Sequence, residues 1–99
     1  MKRTLIRYKT KPEMTEQNEH LVEAVFAELR LKSPQGLRYM TLRLADGSFV
    51  HFVESDGDNT LPTMDAFRAF QSGIRERCIE PPQFNEATIV GNYRMLDER

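Results

Sequence analysis

Residues 4–9 alternate apolar and polar side chains, with Ile6 and Tyr8 on one side of a period-two ribbon and Arg7 and Lys9 on the other. This is the pattern of a half-buried strand. Pro12 closes it, because proline has no N–H to give to a sheet ladder and its ring fixes φ. From 14 to 31 the period changes. Leu21, Val22, Val25, Phe26 and Leu29 fall on one helical stripe, while Glu16, Glu19, Glu23, Glu28 and Arg30 lie largely off it. Glu13, Glu16 and Glu19 crowd the end of that helix where its dipole favours negative charge, and Arg30 and Lys32 close the other end. The turn Ser33-Pro34-Gln35-Gly36 then releases the chain into extended structure.

Two runs rich in aromatic and aliphatic residues follow, 37–44 and 49–54, and the Asp46-Gly47 pair between them predicts a tight hairpin. The polar, glycine-containing stretch 55–60 reads as an exposed loop. Pro62 or Thr63 opens a second helix carrying Met64, Phe67, Phe70 and Ile74 at helical spacing, which Gly73 weakens. Glu80-Pro81-Pro82-Gln83 forbids further helix. Residues 87–96 are expected to finish the chain as a long strand, Ile89, Gly91, Tyr93 and Met95 facing one way and Val90, Asn92, Arg94 and Leu96 the other. The predicted order is β-α-β-β-α-β.

That order predicts an α+β fold: a four-stranded antiparallel sheet with two helices on one face, forming one domain over residues 1–99. The middle strands carry apolar residues on both faces, Val50 and Phe52 opposite Phe49 and Val53, and Met40, Leu42 and Leu44 opposite Leu37 and Tyr39. Two helices cover one face only. In so short a chain the second layer is expected to be another copy, which gives a homodimer packed sheet on sheet.

Composition narrows the partners. With 14 basic and 15 acidic residues the net charge is −1, without the basic excess that binding a phosphate backbone demands. Nucleic acid is not an expected partner. No apolar run approaches the roughly 20 residues of a spanning helix, and Met1-Lys2-Arg3-Thr4-Leu5-Ile6 enters the alternating pattern without a signal-peptide block. No membrane association and a cytoplasmic location are expected. The lone Cys78 has no partner for an intrachain disulfide, which fits a reducing compartment.

The layout resembles the dimeric α+β barrel superfamily, and within it the antibiotic-biosynthesis-monooxygenase-like (ABM-like) domains. The residues that carry the resemblance are Pro12 before the long helix, the turn Ser33-Pro34-Gln35-Gly36-Leu37, the strand Phe49-Val50-His51-Phe52-Val53-Glu54 and the helix segment Phe67-Arg68-Ala69-Phe70. It spans nearly the whole chain and implies a ferredoxin-like unit assembled as a homodimer. Members that degrade haem or oxidise polycyclic aromatics use an asparagine on the first strand and a tryptophan after the third. The haem-degrading group adds a histidine on the second helix. This chain departs from them: it has no tryptophan, its first strand offers Arg7 and Tyr8, and its second helix offers Gln71 and Ser72.

His51 is the candidate catalytic residue, since a histidine in a strongly apolar strand can titrate near neutral pH and carry a proton. The competing reading is a core histidine satisfied by hydrogen bonds. Tyr8, Tyr39, Phe67 and Phe70 are the candidate substrate-binding residues, with packing as the alternative for each. His20 reads as a helix-surface residue. Arg7, Arg38, Arg43 and Arg94 offer guanidinium forks to a carboxylate, or simply face solvent. Cys78 beside Ile79 reads as packing. The two histidines lie on different predicted elements and form no metal constellation, so no metal is expected, and no cofactor is expected either. Two functions stay open: a dimer that binds or oxidises a small hydrophobic or aromatic molecule, and a non-enzymatic structural or regulatory dimer.

Overall fold

Alternation decides which side of each strand meets the helices. The computed structural model describes residues 1–57 and 60–96. Strand β1 (Lys2–Thr10) runs antiparallel to β3 (Ser48–Ser55), which runs antiparallel to β2 (Leu37–Arg43). Strand β4 (Cys78–Glu86) pairs with the other side of β1, giving a sheet in the order β2-β3-β1-β4. Helices α1 (Thr15–Lys32), α2 (Asp65–Gln71) and the single turn α3 (Ile74–Arg77) cover one face. Register places Tyr8 opposite Phe49, Ile6 opposite His51 and Thr4 opposite Val53, all towards the helices. Leu5 opposite Phe52 and Arg7 opposite Val50 point away from them.

The core lies between these layers, where Tyr8, Val25, Phe49, Leu61 and Met64 are almost fully buried alongside Val22, Val53, Phe70 and Cys78. Sulfur and methyl groups fill what the rings leave, and burial pushes the Cys78 thiol up, as a packing role requires. α1 begins one turn after Pro12, which sits at the start of a short 3₁₀ turn, Pro12–Met14. Thr15 donates its hydroxyl to the Lys11 carbonyl and bonds the Thr10 hydroxyl at 2.8 Å, so the strand end and the helix start are tied together. Glu28 joins α1 to α2: one carboxylate oxygen accepts the Ala66 N–H at 2.8 Å and the other meets Lys32 at 2.7 Å. The Lys32 contact, then the Ala66 N–H, hold its carboxyl below the usual range. In the β2–β3 hairpin Gly47 adopts φ +89°, donates to the Leu44 carbonyl and is followed by Ser48, whose N–H reaches Asp46. A side chain other than glycine strains at that φ.

Three expectations change. The second helix does not run through Ile74: Gly73, at φ +76°, separates α2 from α3. Of the expected loop 55–60, Ser55 is the last residue of β3, and Asp58 and Asn59 lie outside the described residues. The last strand is Cys78–Glu86, while residues 87–96 carry neither helix nor strand. Two prolines are accommodated inside β4 because it is an edge strand with one neighbour, and because the ladder bulges there. Arg7 pairs with Gln83 and Lys9 with Glu80, so one residue of β1 faces Pro81 and Pro82 together. After Ala87 donates to the Arg3 carbonyl the chain leaves the sheet, with Val90, Tyr93 and Met95 exposed.

Candidate functional site

Between the inner face of the sheet and the α2–α3 segment lies a cavity of about 670 Å³. The period-two face of β1 supplies Thr4, Ile6 and Tyr8, and that of β3 supplies His51, Val53 and Ser55. Phe67, Phe70 and Ile74 close it from the helix side, and Pro82 and Phe84 of β4 form part of the wall. Tyr8, Tyr39, His51, Phe67 and Phe70, which come from four separate elements, all line it. The rings touch one another: His51 lies 5.3 Å from Tyr8, 5.7 Å from Tyr39 and 5.4 Å from Phe70, centroid to centroid. Phe67 packs 6.1 Å from Phe70. Aromatic pairs at these separations are worth a fraction to about 1.5 kcal/mol beyond their area, which holds the wall in shape. The charged residues lining the cavity are Lys2 and Arg75, both solvent-exposed, and among the described residues no carboxylate lines it.

Polar atoms behind this wall form a continuous chain. The Arg77 Nε–H donates to Asn18 Oδ1 at 3.0 Å, and Asn18 Nδ2 donates to the Tyr8 hydroxyl at 2.9 Å. That hydroxyl bonds His51 Nε2 at 2.8 Å. On the far side of the ring, His51 Nδ1 contacts the Tyr39 hydroxyl at 2.7 Å and the Thr41 hydroxyl at 3.0 Å. Asn18 is fully buried and Arg77 is 4% exposed. The other guanidinium nitrogens of Arg77 donate to the Ser72 carbonyl at 3.0 Å and the Phe70 carbonyl at 2.5 Å, and the group lies over the Phe70 ring. Arg77 thus fastens the end of α2 to the chain.

Burial sets the charge state. It lowers the His51 imidazole from its ordinary 6.5 to about 4, so the ring is neutral at neutral pH. Burial also raises both phenols: Tyr8 against an opposing hydrogen bond from Asn18, and Tyr39 against one from Thr41. The site at neutral pH is therefore a set of uncharged donors and acceptors held at hydrogen-bond distance. It can orient a polar group and pass a proton, but it stores no charge of its own beyond Arg77.

Residue patterns did not single out Asn18, Thr41 or Arg77. Asn18 left a signal, since it sits four residues before Val22 on the apolar stripe of α1, where a polar side chain must find partners. The arginines considered for a carboxylate stand elsewhere, and Arg94 lies outside any strand. Arg43 pairs with Glu16 and Glu19, Arg7 lies 3.9 Å from Asp46, Arg94 rests on Tyr93, and Arg38 is exposed opposite Glu54. His20 is exposed on α1. Among the described residues no three His, Cys, Asp or Glu side chains gather as a metal-binding group, and no helix is long and apolar enough to cross a membrane.

Neither a protein-family profile nor a curated protein sequence matches the chain. Solved structures do. The Mycobacterium tuberculosis protein Rv0793 superposes with a TM-score of 0.72 at 16% identity, covering 92% of this chain and 96% of that one. A Caulobacter crescentus chain named as a candidate antibiotic biosynthesis monooxygenase gives 0.71 at 16% identity, over 91% and 90%. A structure described as an antibiotic biosynthesis monooxygenase gives 0.69 at 20% identity, over 92% of this chain and all of the other. At such identities the likeness speaks for the fold: this chain has the ferredoxin-like α+β fold of the ABM-like domains.

Proposed function

We propose that this ABM-like domain binds a small hydrophobic or aromatic molecule in the cavity between sheet and helices, and that it works as a homodimer whose sheets pack through their outer faces. The observation that carries the binding reading is the convergence of Tyr8, Tyr39, His51, Phe67 and Phe70 on one cavity of about 670 Å³. Apolar walls with a few placed polar groups are what small-molecule sites consist of. The dimer reading rests on Leu5, Met40, Leu42, Val50 and Phe52, which lie together on the face that no helix covers.

In a reaction on the bound molecule, His51 is the proton carrier of this reading, since both its ring nitrogens are hydrogen-bonded and a proton arriving at one can leave from the other. The competing reading, a structural or regulatory dimer without turnover, draws on the same two bonds, because a histidine satisfied on both sides is also a finished piece of core. Titration of the intact protein with bicyclic aromatic probes, followed through the NMR signals of His51 and Tyr39, separates the two. Saturable shifts that vanish in Ile6→Trp, whose indole fills the cavity, are expected. If no probe gives a saturable shift, the structural reading stands. With a converted probe in hand, turnover that survives His51→Ala unchanged removes His51 from the chemistry.

A further inference from the structure

The polar chain behind the cavity has a direction that its members' donor and acceptor inventories fix. A guanidinium has donors only, so the oxygen of Asn18 must face Arg77 and its NH₂ must face Tyr8. The NH₂ in turn has nothing to offer but protons, so the Tyr8 oxygen accepts. Its own O–H is then left for His51 Nε2, which must be the unprotonated nitrogen. The opposite tautomer, with the proton on Nε2, leaves the hydroxyl of Tyr8 without an acceptor in a side chain that is 1% exposed. An orphaned buried donor costs about 1–3 kcal/mol, enough to decide between tautomers.

Neutral His51 therefore carries its proton on Nδ1, where it meets the hydroxyls of Tyr39 and Thr41. A protonated Nδ1 accepts nothing. Nδ1 faces both hydroxyls, so at most one of their two protons can be placed between them and at least one has no acceptor inside the cluster. Tyr39 lines the cavity and Thr41 does not. Thr41 acts on the Tyr39 phenol as a hydrogen-bond donor, so the free proton is that of Tyr39. The exposed cations Lys2 and Arg75 on the cavity lining, with no carboxylate there among the described residues, add the same electrostatic preference.

We infer that Arg77 and Asn18 are positioning residues that order the protons from Tyr8 through His51 to Tyr39, so that the cavity presents a hydrogen-bond donor and selects ligands carrying an acceptor such as a carbonyl oxygen. The ligand half rests on the binding reading above, and the proton order does not. Asn18→Asp tests both. A carboxylate at this position pairs with Arg77 and accepts the Tyr8 hydroxyl proton, which turns the Tyr8 oxygen towards a protonated Nε2. Nδ1 then accepts the Tyr39 proton across their 2.7 Å contact, and Tyr39 has no donor left for the cavity.

The ring-nitrogen NMR shifts of His51 at neutral pH, measured without ligand, are expected to show protonated Nδ1 in the native protein and protonated Nε2 in Asn18→Asp. A native protein with protonated Nε2, or a variant whose shifts do not move, overturns the proton order. Should Asn18→Asp fail to fold, Tyr8→Phe keeps the ring packing and removes the proton that pins Nε2. The His51 shifts are expected to leave their native values, and unchanged shifts overturn the inference equally. For the ligand half, 1-indanone, an acceptor, is expected to bind the native protein about tenfold more tightly than indole, a donor of similar size, as one hydrogen bond allows. Asn18→Asp is expected to erase that preference. Equal affinities in the native protein overturn the selectivity, whereas a failure of both probes to bind speaks against the binding reading and leaves the NMR result standing.

Discussion

The two faces of β3 are made from similar residue types and do opposite things. Phe49, His51 and Val53 look inward, each less than a tenth exposed, and are held by rings and hydrogen bonds whose geometry is specific to each neighbour. Val50 and Phe52, one residue along, look outward beside Leu5, Met40 and Leu42, and remain half-buried on the face that no helix covers. Helices cover the inner face and leave the outer face uncovered. Hydrophobic character is shared, so the difference lies in what each face is packed against and not in composition.

Truncating the two phenylalanines of this strand tests that contrast most strongly. Phe49→Ala is expected to cost roughly 3–5 kcal/mol in urea unfolding, the range for large aromatic-to-alanine changes in a core. Phe52→Ala is expected to cost well under half as much when the protein is dilute enough to be monomeric. Equal losses would show that the outer face is already part of the same packed core.

Acid tests the inner face through His51. The unfolded chain binds a proton at His51 near 6.5 and the folded chain near 4, so between these values the unfolded state holds more protons and acid favours unfolding. The stability that depends on neutral His51 is whole above about 6.5 and is lost as the pH falls to about 4, on the order of 3 kcal/mol in all. Unfolding free energies measured across that window should fall more steeply for the native protein than for His51→Gln. Parallel curves would mean that the imidazole is better solvated than its burial implies.

In the proposed dimer the outer face is expected to have the smallest effect on stability and the largest on assembly. Phe52→Glu is expected to leave the far-ultraviolet circular dichroism unchanged and to shift the sedimenting species from dimer to monomer at micromolar concentration. A native protein that already sediments as a monomer breaks the comparison from the other side.

Much of this contrast was legible in the residue pattern. A period of two assigns Phe49, His51 and Val53 to one face without knowing which face is covered, and the change to a helical period over 14–31 supplies the cover. The aromatic candidates for the cavity emerged for the same reason. What the pattern concealed depends on distance in space. Asn18 and Arg77 stand 59 positions apart and meet only because β4 returns beside β1. The last strand was misplaced because alternation in residues 87–96 outweighed two prolines, although an edge position with a bulge tolerates prolines that a central strand refuses.

Those prolines govern growth sideways. A sheet margin with a full row of N–H and C=O groups is a template onto which any extended chain can add itself. Pro81 and Pro82 have no N–H, so the bulged stretch of β4 lacks two backbone donors, and the shift in register there interrupts the regular ladder. A further strand arriving there meets an interrupted ladder in the middle of its length. On this side the covalent chemistry of β4 works against a fifth strand.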